Sequence, residues 1–114
     1  MPPTPKLCSI DTHADTLITT AWVLTEVGDA LSAPENHPAF LRLLDTLEHA
    51  PDARVIKPTP ELFERGVKLF RQHSDTDWSL TDCLSFVAMR KAGITDALTG
   101  DPHFEQAGFR ALLK

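Results

Sequence analysis

The chain has 114 residues, 42% of them hydrophobic and 24% charged, which suits one domain around one core and excludes a two-domain enzyme. Sixteen acidic against eleven basic side chains give a formal net charge of -5. Wrapping of nucleic acid by bulk charge is thereby disfavoured, and binding of a polyanion calls for a metal ion or a local basic patch.

Taken in chain order, short strand-like apolar runs alternate with longer helix-like ones, which points to an α/β fold with a parallel sheet. Three prolines in the first five residues predict an extended lead-in. Strands are expected over Lys6 to Ile10 and Thr16 to Ile18, then a helix over Trp22 to Leu31 whose Val23, Val27, Ala30 and Leu31 share one face, with Glu26 beside that stripe. After a break at Pro34 to Pro38, Phe40, Leu43, Leu44 and Leu47 recur at helical spacing and predict a core helix. Ala53 to Lys57 reads as a strand. Thr59-Pro60-Glu61 supplies a cap, a first-turn proline and an acid for the next helix, whose buried side is expected to be Phe63, Val67 and Phe70. Ser79-Leu80-Thr81-Asp82 opens a further helix that closes with Arg90, Lys91 and Gly93. A strand over Asp96 to Thr99, a brief helix after Gly100-Asp101-Pro102 that ends near Gly108, and a strand over Phe109 to Leu113 complete the chain.

In open parallel sheets, ligands bind outside the carboxyl ends of the strands, where helices also begin. Asp82 and Asp101 fall at such places and Glu26 lies about two turns into a helix that follows a strand, so three acids can converge on one edge. Converging carboxylates repel one another and resist desolvation unless a hard divalent cation sits among them. All-oxygen ligation suits Mg2+ or Mn2+ rather than zinc, and such an ion with open positions activates water and offsets charge on a phosphodiester. Each acid also has a plainer explanation. Asp82 completes a Ser-x-x-Asp capping box, Asp101 is a good helix N-cap, and Glu26 fits a solvated helix position.

Other features point to packing. Trp22 and Trp78 suit core or interface positions, Cys83 a small core residue, and the five histidines show no metal-binding spacing and are expected at the surface. No G-x-S-x-G elbow, Walker loop or G-x-G-x-x-G is present, which removes the common serine hydrolases, P-loop enzymes and dinucleotide binders. Ile10-Asp11-Thr12-His13 lacks the second aspartate that haloacid-dehalogenase-like phosphatases need. Cys8 and Cys83 form no C-x-x-C pair, which fits a reducing cytoplasm. No apolar run approaches the roughly 20 residues that span a bilayer, and MPPTPKLCSI has no signal-peptide core or cleavage site. The expectation is a cytoplasmic protein without membrane association.

Trp22-Val23-Leu24-Thr25-Glu26-Val27, Asp77-Trp78-Ser79-Leu80-Thr81-Asp82-Cys83-Leu84-Ser85-Phe86 and Gly93-Ile94-Thr95-Asp96-Ala97-Leu98-Thr99-Gly100-Asp101-Pro102-His103-Phe104 together resemble PIN-domain proteins. In order and spacing they are similar to the VapC-like branch. The resemblance covers Leu17 to about Leu113 and is most specific in the last forty residues. It implies a three-layer α/β/α sandwich with a central parallel sheet over residues 17–114, preceded by an atypical segment at 1–16. It further implies a metal-dependent ribonuclease of the toxin kind, with Glu26, Asp82 and Asp101 as catalytic and metal-holding acids for Mg2+ or Mn2+. Asp77 would then be an auxiliary acid, and Thr81 and Thr99 hydrogen-bonding neighbours. An RNA substrate, a cognate antitoxin and a homodimer belong to the same implication.

The family begins with a strand ending in an aspartate, followed by two helices. Here only sixteen residues precede Leu17. Either Asp11 stands for that first aspartate with the helices deleted, or the chain starts late and Asp11 is an accidental match. Loss of that carboxylate would leave the alternative function, a catalytically impaired PIN-like binding or interaction module.

Overall fold

The computed structural model describes residues 9–11, 16–97 and 99–113. β1 (Ser9–Asp11), β2 (Thr16–Thr20) and β3 (Ala53–Ile56) form one sheet in the order β1-β2-β3, and β4 (Asp96–Ala97) pairs in parallel with β5 (Arg110–Ala111). Around them lie α1 (Ala21–Ala30), α2 (His37–His49), α3 (Pro60–Gln72), α4 (Leu80–Ala92) and α5 (Pro102–Gln106), with a 3-10 turn at Pro34–Asn36. α1 and α4 pack on β2, α2 packs on β3, and α3 lies along α4, giving the α/β sandwich expected from the element order.

β2 and β3 are parallel, with Leu17 opposite Ala53 and Thr20 opposite Ile56. β1 departs from the expected parallel sheet by running antiparallel to β2, Ser9 opposite Ile18 and Asp11 opposite Thr16. The physical reason is chain length: residues 12–15 alone separate the two strands, whereas a crossover to a parallel neighbour takes about a dozen residues. Asp11 is therefore placed at the edge where β2 begins, away from the edge where β2 ends and α1 starts.

Several helix ends follow from local chemistry. The Thr20 hydroxyl accepts from the Val23 amide at 3.2 Å, the Thr59 hydroxyl accepts from the Leu62 amide at 3.1 Å, and Gly93 ends α4 at φ 73°, a left-handed conformation that glycine adopts without strain. The core gathers on Phe86, which meets Trp78 and Phe104 edge-on at 5.1 and 5.0 Å between ring centroids and stacks on Phe109 at 5.6 Å. Cys83 lies in this core as a small buried residue, and burial, reinforced by the charge of Asp82 and opposed by Arg90, pushes its thiol pKa up. Asp96 and Arg110 tie β4 to β5 through paired contacts of 3.1 and 2.7 Å.

Three packing expectations are corrected. α3 buries Leu62, Gly66 and Leu69, while Phe63 and Phe70 are each 45% exposed and Val67 is half-buried. Gly66 decides this rotation, because without a side chain it lets α3 approach Leu84 of α4 too closely for any other residue. α2 is peripheral: of the four residues expected in the core only Leu47 is buried, Phe40, Leu43 and Leu44 being half-buried, and Leu41 of the same helix is exposed. In α1, Leu24 joins Val23 and Val27 in the buried stripe, whereas Ala30, in the last turn, is exposed and Leu31 is half-buried.

Candidate active site

Two helix N-termini build the site. At the start of α4 the Ser79 hydroxyl accepts from the Asp82 amide at 3.0 Å, and Asp82 Oδ2 accepts from the Ser79 amide at 3.0 Å, a complete capping box. Asp82 is only 1% exposed, so the cap also fixes a carboxylate in the interior. After β4 the buried Thr99 hydroxyl accepts from the Asp101 amide at 3.1 Å, and Asp101 Oδ1 accepts from the His103 amide at 2.9 Å as the N-cap of α5. The plain structural roles expected of Asp82 and Asp101 are thus real, and the same caps aim the two carboxylates at one place.

His103 joins them. Its Nδ1 lies 3.0 Å from Asp101 Oδ1 and 3.2 Å from Asp82 Oδ2, and its Nε2 lies 2.9 Å from Asp77 Oδ1. Nδ1 is buried and, despite these distances, makes no hydrogen bond to a protein atom, so the ring does not direct it at either carboxylate. Burial pulls the imidazole pKa down, but the Asp77 hydrogen bond and the charges of Asp101, Asp77 and Asp82 outweigh it and hold the pKa above its ordinary value. The loop carrying Asp77 is fastened by Trp78, whose indole N–H donates to Gln106 of α5 at 3.1 Å.

Asp82, Asp101 and His103 each offer one ligand atom, all within 4.8 Å of one another. This donor set fits a divalent cation on its own chemistry: two converging carboxylates and a buried nitrogen without a hydrogen-bond partner. Glu26 is exposed on α1 and stands outside this compact group, and Thr81 is half-buried beside Asp82. His103 was the residue that sequence reasoning assigned to the surface. Its signal lies in Asp101-Pro102-His103, because helical side chains lean towards the helix N-terminus, so a histidine in the first turn of α5 leans back towards its Asp101 cap.

Residues 7–110 match the PIN domain family, and the chain belongs to it. The 23S rRNA-specific endonuclease VapC20 of two Mycobacterium tuberculosis strains, CDC 1551 / Oshkosh and ATCC 25618 / H37Rv, is 38% identical over 56 residues, 49% of this chain and 43% of the relative. The aligned stretch therefore spans less than half of those proteins. A crystal structure of Mycobacterium tuberculosis VapC20, a Sarcin-Ricin loop cleaving toxin, superposes with a TM-score of 0.74 at 30% identity, covering 82% of this chain and 72% of the other. Among the described residues no helix is long and apolar enough to cross a membrane.

Proposed function

We propose that the chain is a metal-dependent endoribonuclease of the VapC toxin kind, acting in the cytoplasm on phosphodiester bonds of RNA. The observation that carries this reading is the meeting of Asp82 and Asp101 at two helix N-termini, with ligand atoms inside one 4.8 Å group, in a chain of the PIN domain family. Asp82 and Asp101 hold the ion, Mg2+ or Mn2+, and the exposed Glu26 of α1 is the third acid of the site. When bound, such an ion supplies Lewis-acid chemistry: it acidifies water and offsets charge developing on a phosphodiester. The capping bonds keep both carboxylates in place before substrate arrives, so little reorganisation opposes the reaction.

The test compares RNA cleavage by the chain with its Asp82→Asn and Asp101→Asn forms, with Mg2+ or Mn2+ supplied. Asparagine preserves the cap acceptor and removes the charge, so both variants should fold and lose activity. Equal cleavage by all three removes the enzyme reading and leaves a non-catalytic interaction module. A small antitoxin that covers the acidic site and a homodimer complete the proposal. Half-exposed Phe63 and Phe70, one face apart from the buried side of α3, support self-association. Light scattering on the Phe63→Ser/Phe70→Ser double variant tests it, a purely monomeric species being expected.

A further inference from the structure

Resting on the metal-dependent reading above, we propose that His103 is itself a ligand of the ion, with Asp77 as the residue that positions its ring, and that this nitrogen shifts the site's preference from Mg2+ towards Mn2+. Three features carry the argument. Nε2 is 2.9 Å from an Asp77 carboxylate oxygen, so the proton on that nitrogen is committed outward. The neutral tautomer that makes this bond leaves a lone pair on Nδ1. That nitrogen sits 3.0 and 3.2 Å from the Asp101 and Asp82 oxygens, buried and without a hydrogen bond to either. A neutral nitrogen lone pair and two carboxylates gathered this closely repel one another until a cation stands among the three.

Histidines that bind metals almost always donate the other ring N–H to a carboxylate or carbonyl, which fixes tautomer and orientation. Asp77–His103 has that form, and its outer end is open, Asp77 being 84% exposed while the inner end faces Asp82 at 1%. Mg2+ strongly prefers oxygen ligands and gives up water reluctantly, whereas Mn2+ tolerates an imidazole nitrogen better. The rival explanation is that His103 is protonated and fills the site as a cation, in which case it competes with the ion. The two explanations make opposite predictions for its removal.

The experiment is calorimetric titration of the full chain with MnCl2 and with MgCl2, alongside pulsed electron paramagnetic resonance of the Mn2+ form, for the natural chain and for His103→Ala, His103→Gln and Asp77→Asn. A ligand role gives 14N modulation of the Mn2+ signal in the natural chain that disappears in both His103 variants. His103→Ala lowers Mn2+ affinity by at least about 10- to 100-fold, the range found when even an outer partner of a metal ligand is removed. His103→Gln, with an oxygen in place of the nitrogen, narrows the Mn2+ over Mg2+ preference. Asp77→Asn weakens Mn2+ binding while the 14N modulation persists. Circular dichroism melting confirms that each variant is folded. Mn2+ binding without 14N modulation, or an affinity unchanged or raised in His103→Ala, overturns the proposal and leaves the nuclease reading standing. Failure of the natural chain to bind either ion overturns both.

Discussion

Replacing Gly66 by alanine tests the close approach of α3 to α4. Two effects oppose each other. In a helix interior alanine gains about 1 kcal/mol over glycine, because it loses less backbone freedom on folding. Against this, the added Cβ would lie 2.4 Å from Leu84 Cδ2, 2.9 Å from its Cγ and 3.4 Å from its Cα. Leu84 is only 3% exposed, so its methyl group has no free space to swing into, and α3 must move instead. Overpacking of this kind costs about 1–3 kcal/mol and is expected to exceed the helix gain here, leaving a net loss of up to about 2 kcal/mol. For a domain of this size that lowers Tm by up to roughly 8 °C. Urea unfolding of Gly66→Ala, Leu84→Ala and the double variant measures it. Leu84→Ala alone should cost about 2–5 kcal/mol, and Gly66→Ala added to it should be neutral or stabilising because the new methyl enters the vacated space. A stabilised Gly66→Ala single variant, or strictly additive effects, would refute the reasoning.

Other expectations follow from the same contacts. Asp82→Ala, which removes one half of the α4 capping box, should cost about 1 kcal/mol in urea unfolding, whereas Asp82→Asn should cost less because it retains the acceptor for the Ser79 amide. Phe86→Ala removes the ring that Trp78, Phe104 and Phe109 all touch and should lose about 3–5 kcal/mol by the same measurement. In the metal-free chain, kept so with a chelator, His103 has a folded-state pKa above its ordinary 6.5. Its stabilising contribution is complete below the ordinary value and is lost as pH rises through the raised one. A Tm that falls over that interval, less steeply in Asp77→Asn, is the expected result; parallel profiles for the two proteins would contradict it.

Much of the molecule was legible from short-range chemistry. Thr59-Pro60, Ser79 with Asp82, Gly93 and Asp101-Pro102 mark helix ends, because a cap needs only a side chain and an amide a few residues apart. The same logic placed Asp82 and Asp101 at helix starts, and a capped carboxylate already lies where a parallel sheet presents ligands. Trp78 and Cys83 were also rightly read as packing residues.

What depended on distant parts of the chain was not legible. Apolar spacing favoured Phe63, Val67 and Phe70 as the buried side of α3, yet Gly66 turned the helix, since the space a missing side chain leaves has value only once Leu84 of another helix fills it. The direction of β1 followed from the few residues before β2 and not from its own composition. His103 read alone is an ordinary surface histidine. Only the tertiary structure sets its two nitrogens between Asp77 on one side and Asp82 with Asp101 on the other, because those partners come from a loop and two helix ends brought together by packing around Phe86 and Trp78.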